Sequence, residues 1–96
     1  PTALAEALTQ AGDDRDGTAL VRIGLAFSGL GQHDQAVSLI QQGIARGGLA
    51  RRDEANLHLG IALHRAGDKQ RAAQVLRTVG GKDGTADLAR LWMKVP

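Results

Sequence analysis

The chain predicts an all-α fold of stacked helical hairpins, and three observations carry that prediction. Five small residues recur 36 positions apart, with Ala19, Gly24, Ala26, Gly31 and Ala36 falling on Ala55, Gly60, Ala62, Gly67 and Ala72. Between them both copies place apolar side chains: Leu20, Ile23, Phe27, Leu39 and Ile40 in the first, Leu57, Leu59, Leu63, Val75 and Leu76 in the second. Glycine-bearing breaks around Gly12 to Gly17, Gly31, Gly47 and Gly48, Gly67, and Gly80 to Gly84 divide these runs into helix-sized pieces. Each repeat therefore reads as two short helices that cannot bury their faces alone and must stack on neighbours.

Taken in order, Ala3 to Ala11 is rich in Ala and Leu, and Leu4, Leu8 and Ala11 at helical spacing predict a first short helix. A shift of 36 lays Leu4, Ala7 and Leu8 over Ile40, Gly43 and Ile44, so this helix reads as the second half of an earlier repeat. The stretch Gly12 to Gly17 breaks it and supplies an aspartate to cap the next helix. From Thr18 to about Gly29, Leu20, Ile23 and Phe27 mark one face and Val21 and Leu25 another, as expected of a helix covered on more than one side. Gly31 permits a tight turn, and Asp34 is the predicted cap of a helix that carries Ala36, Val37, Leu39, Ile40 and Ile44 and ends at Gly47 and Gly48. The second copy begins near Arg51 to Asp53, turns at Gly67 and Asp68, and resumes through Ala72, Val75, Leu76 and Val79. After Gly80 to Gly84 a last helix carries Leu88, Leu91, Trp92 and Val95. Gly24 and Gly60 fall mid-helix, where glycine costs about 1 kcal/mol relative to alanine, and close backbone approach between packed helices is expected to offset that cost.

Size and charge narrow the function classes. A chain of 96 residues fits one domain and buries roughly 65% of its unfolded surface, enough for a modest core. Cysteine is absent, which excludes disulfides, thiolate metal sites and cysteine nucleophiles. The 12 Lys and Arg against 10 Asp and Glu leave a net charge of only +2, spread along the chain rather than gathered into a basic stripe. With Phe27 and Trp92 as the only large aromatics, stacking platforms for single-stranded nucleic acid are lacking, and no nucleic-acid partner is expected. No apolar run approaches the roughly 20 residues that span a bilayer, so no membrane insertion is expected either.

The pattern resembles the tetratricopeptide repeat, a 34-residue helix-turn-helix unit with the pattern W-x2-L-G-x2-Y followed by A-x3-F, a small residue and a proline. The first copy supplies Leu20, Ile23, Gly24, Phe27, Gly31, Ala36, Ile40 and Gly43, and the second Asn56, Leu59, Gly60, Leu63, Gly67, Ala72, Leu76 and Val79. Departures are Leu20 and Asn56 in place of the first tryptophan, the larger Val79, the missing prolines, and a spacing two residues longer, which should lengthen the loop around Gly47 and Gly48. The resemblance implies an α-α superhelix, a right-handed solenoid with a flanking helix at each end. The expected divisions of this single domain are 1–16 for a flanking helix and loop, 17–48 and 49–82 for the repeats, and 83–96 for a C-terminal capping helix. Trp92 lies 36 residues after Asn56, at the tryptophan position of an unfinished third copy. Leu88 and Leu91 are expected to form the covered stripe of the cap, with Asp87, Arg90 and Lys94 on its wet face.

Chemistry-bearing constellations are weak. His58 and His64 are six residues apart, about 240° around one helix, and so point to different faces, while His33 sits where this repeat usually carries a packing aromatic. No metal or other cofactor is expected. Asp14 to Gly17 has the look of part of a calcium loop, but Gly12 and Ile23 stand where the first and last ligands are needed. Gly80 to Thr85 lacks both the spacing and the preceding strand of a phosphate cradle. Ser28 and Ser38 sit in no nucleophile elbow, and no catalytic residues are assigned.

What remains is a binding surface. The resemblance implies that the first helix of each repeat lines a concave face, at Thr18, Val21, Leu25, Ser28 and Gly29 and at Glu54, Leu57, Ile61, His64 and Arg65, with Arg22 and His58 bordering it. Family members that clamp terminal carboxylates use Lys and Asn there, whereas Val21, Leu25, Leu57 and Ile61 suit an apolar partner. Two arrangements fit: a groove open to a protein or peptide segment, or one closed by the final helix with Trp92 or Met93 lying in it. The expected function is a non-catalytic protein-interaction scaffold. The alternative is a terminal segment of a larger array that packs against its own neighbouring domain.

Overall fold

A computed structural model describes residues 2–13, 15–80 and 84–95, and among these the secondary structure is entirely helical. The helices are α1 (Thr2–Asp13), α2 (Thr18–Gly29), α3 (His33–Arg46), α4 (Arg52–Arg65), α5 (Lys69–Arg77) and α6 (Thr85–Met93). Each packs on the next, and α4 also touches α2 and α6, so α2, α4 and α6 form one layer of a stack measuring 37 × 25 × 18 Å. The side chains of Leu4 and Ala11, together with Asp14 and the loop 81–83, lie outside the described residues.

The two hairpin turns are the same structure built twice. Gly31 and Gly67 take φ of 80° and 92°, in the left-handed region that favours glycine. In the first turn Gly31 N–H bonds to Ser28 C=O at 3.0 Å and Gln32 N–H to Phe27 C=O at 3.0 Å. In the second, Gly67 and Asp68 repeat the pattern on His64 (3.1 Å) and Leu63 (3.0 Å). This pair of crossed bonds satisfies the last carbonyls of α2 and α4 and reverses the chain within two residues.

The caps correct one expectation. Asp34 is the second residue of α3, not its cap; the N-cap is Gln32, which makes no side-chain capping bond. The residue 36 positions on is Asp68, and its carboxylate does cap α5, accepting from Arg71 N–H at 3.2 Å. At the start of α2, Asp16 accepts from Thr18 N–H at 3.0 Å.

Three apolar clusters run along the stack. Leu20, Ile23 and Leu39 hold α2 to α3, with Ala7 and Leu8 of α1 packed against them. Ala36, Val37, Ile40, Leu59, Ala62, Leu63 and Ala72 join α3, α4 and α5. Leu57, Leu76, Val79 and Ala89 join α4, α5 and α6, with Ile61 and Trp92 alongside. Ile40, Leu63 and Leu76 are almost fully enclosed, each contributing roughly 1.5–3 kcal/mol by burial. The central helix α4 buries Ala55, Leu57, Leu59, Gly60, Ala62 and Leu63 around more than half of its circumference because helices flank it on both sides.

The mid-helix glycines sit at contacts of different kinds. A Cβ on Gly24 would lie 2.7 Å from the Ile40 side chain and 3.2 Å from both the Ala36 carbonyl oxygen and the Ile40 nitrogen, so α2 and α3 meet there with backbone as well as side chain. At Gly60 the expectation of a backbone crossing is corrected: the space is filled by the Leu76 side chain, whose Cγ would be 2.6 Å from an added Cβ. A tighter backbone contact lies at Gly17 and Gly43, and Gly17 N–H bonds to Gly47 C=O at 2.9 Å. In the second repeat Asp53 occupies the place of Gly17, and its carboxylate makes the comparable tie by accepting from Gly80 N–H at 3.1 Å.

The final helix turns a different face inward from the one expected. Leu88 and Leu91 are 50% and 59% exposed, whereas Thr85 and Ala89 are buried and Trp92 half-buried. The reason is packing geometry: α4 and α5 leave a shallow seat that admits the small Ala89 and flat Trp92 on one side of α6.

Candidate functional site

Between α2 and α4 lies a solvent-facing hollow of about 390 Å³. Its apolar lining comes from Val21 and Leu25 of α2, Ala55 of α4, and Leu49 and Ala50 of the loop that joins α3 to α4. Thr18, Arg22, Arg51, Glu54 and His58 supply the polar part. Val21 is held there because Gly43 has no side chain: a Cβ on Gly43 would lie 2.7 Å from Val21 Cγ2. Val21 is therefore buried, Leu25 half-buried and Arg22 exposed.

Charge at the mouth is organised around Glu54. Arg51 Nη1 is 3.2 Å from Glu54 Oε2, and His58 Nε2 is 3.9 Å from Glu54 Oε1. The Arg51 and Glu54 side chains are 76% and 41% exposed, so their pair is worth well under about 1 kcal/mol and can open to a ligand at little cost.

The structure divides the sequence-predicted site into two parts. Thr18, Val21, Arg22, Leu25, Glu54 and His58 come together around the hollow. Leu57, Ile61 and Arg65 do not: Leu57 is only 5% exposed, packed with Leu76, Val79 and Ala89, and Ile61 borders the same cluster. Arg65 places its guanidinium carbon 5.6 Å from the centre of the Trp92 ring, and His64 meets that ring edge-on at 5.4 Å. His64 Nε2 also donates to the Val95 carbonyl at 3.2 Å. Trp92 thus covers the second half of the concave face, while Met93 is 37% exposed.

The histidines are dispersed, His58 on the hollow and His64 on Trp92. His33 opens α3, half-buried, and its enclosed Nδ1 has no hydrogen-bond partner among the described residues. No group of three potential metal ligands occurs among the described residues, and none of their helices is long and apolar enough to cross a membrane.

Sequence reasoning missed Leu49, Ala50, Arg51 and Ala55 as lining residues. A signal existed: the repeat is two residues longer than its family's, and the extra length was expected around Gly47 and Gly48, in the loop that joins α3 to α4. Leu49 and Ala50 project from that loop into the hollow.

Two models of the tetratricopeptide repeat match the chain, over residues 19–54 and 54–83. No curated protein and no solved structure matches it. With paired helices, glycine turns at equivalent positions and repeat matches across most of its length, the chain belongs to the tetratricopeptide repeat family, whose repeats typically serve as non-catalytic modules for protein–protein interaction.

Proposed function

We propose that this chain binds a short segment of a partner protein in the hollow between α2 and α4, seating an apolar side chain on Leu25 and Leu49. The observation that carries this reading is the hollow itself: a concave, mainly apolar recess with a polar rim, at the lower end of the size range of ligand sites. Its volume suits one or two side chains rather than a whole helix. Arg22, with the openable Arg51–Glu54 pair, provides donors and an acceptor for the segment's backbone or polar groups.

The test is peptide display against the wild-type chain with counter-selection on Leu25→Glu. The reading expects enriched peptides with an apolar anchor, and amide chemical-shift changes on their addition confined to 18–25 and 49–58. Peptides that bind wild type and Leu25→Glu equally, or shifts elsewhere, would place the binding surface outside the hollow.

A further inference from the structure

Four of the five large apolar side chains that stand exposed among the described residues lie on or just beyond α6: Leu88, Leu91, Met93 and Val95. Leu88 and Leu91, one turn apart, share one side of α6 beside Trp92, and Val95 follows just past the helix end. In the same layer α4 buries apolar residues around more than half of its circumference, because helices pack on either side of it; α6 has α4 and α5 on one side only. Its second apolar stripe is left uncovered.

The charges along that stripe say what fits it. Asp87 and Lys94 flank it seven residues apart, two helical turns or about 10 Å along the axis, with opposite sign. A stripe whose charges reverse about its middle is complementary to its own inverted copy. A two-fold axis at Leu91 sets Leu91 of one copy against Leu91 of the other, Leu88 against Val95, and Asp87 against Lys94. Asp87 of each copy also pairs with Arg90 of its own helix, so its carboxylate is shared with the second copy's Lys94.

We propose that α6 is a self-association surface through which two copies of this chain pair antiparallel in a two-fold contact. A single helix of 9 residues buries less than the roughly 1,200 Å² of a stable specific interface, so the pair is weak and concentration-dependent. The surface is separate from the hollow between α2 and α4, and the two proposals stand independently.

Sedimentation equilibrium of the 96-residue chain between about 10 μM and 1 mM tests it, a range matched to a weak interface. The apparent mass is expected to rise from 10.0 kDa toward twice that value. Leu91→Asp, at an outward position, should weaken association at least roughly tenfold with unchanged far-UV circular dichroism. Asp87→Lys and Lys94→Asp should each remain monomeric. An equimolar mixture of these two variants should associate again, because a rim with two lysines then meets one with two aspartates. A constant monomer mass throughout, association that survives Leu91→Asp, or a mixture that stays monomeric would each overturn the proposal and assign the stripe to another occupant, such as a following segment or domain.

Discussion

Gly17 and Gly43 touch backbone to backbone where the start of α2 meets the C-terminal half of α3: a side chain on Gly17 would overlap the Gly43 carbonyl, and one on Gly43 would come within 2.7 Å of the Gly17 carbonyl oxygen. Neither obstacle is a side chain that can rotate away. Gly17→Ala is therefore expected to cost about 3 kcal/mol, since relief requires the helices to part. Gly29, in the last turn of α2, has open space around it, and Gly29→Ala should gain about 0.5 kcal/mol by restricting the unfolded chain. Thermal unfolding of both variants checks the contrast; equal melting temperatures would contradict the contact.

Gly60 offers a different obstacle, because its neighbour is the buried Leu76 side chain. Gly60→Ala and Leu76→Ala should each destabilise, the latter by about 2–5 kcal/mol as a cavity forms. Combined, they should cost less than the sum, since the new methyl occupies part of the space vacated by leucine. Urea denaturation of the four proteins gives the coupling, and strict additivity would show that the two sites do not share that volume.

The divided concave face makes opposite forecasts for two leucines. Leu57→Asp places a carboxylate among Leu76, Val79 and Ala89 and should cost at least about 3 kcal/mol, with loss of helical circular dichroism on mild heating. Leu25→Asp, beside open solvent in the hollow, should remain folded with a modestly lowered melting temperature. If both variants behave alike, the concave face is not partitioned by α6.

Capping provides a fourth contrast within equivalent turns. Asp68→Ala removes the bond to Arg71 N–H and should cost about 1 kcal/mol. Asp34→Ala removes no capping bond and should cost no more than a few tenths of a kcal/mol, through the favourable placement of a negative charge in the first turn of α3. Melting curves for the pair distinguish a cap from a helix-terminal charge.

Much of the architecture was readable from residue order. The recurrence of Gly31 at Gly67 announced two identical turns because a chain reversal of this kind needs positive φ, a property local to one residue and its neighbours. The cap of α3 was misread at Asp34 because an acidic residue near a helix start serves equally as a cap or as part of the first turn; the 36-residue register with Asp68 separates the two. Part of the candidate site was legible too: periodicity puts Val21 and Leu25 on one helix face, and the resemblance to the tetratricopeptide repeat added Glu54 by position. Leu49 and Ala50 were not, because a loop has no period from which to infer direction.

By itself the sequence determined the helices, their turns and the stacking of like upon like, all of which follow from local backbone preference and the spacing of apolar groups. Only the tertiary structure decided that Leu57 is sealed beneath α6 while Leu25 lines an open hollow, and that Leu88 and Leu91 face water while Ala89 packs. Helical periodicity says which residues share a face; whether that face is covered depends on where a neighbouring helix comes to rest, and that is settled by the fit of side chains remote in sequence.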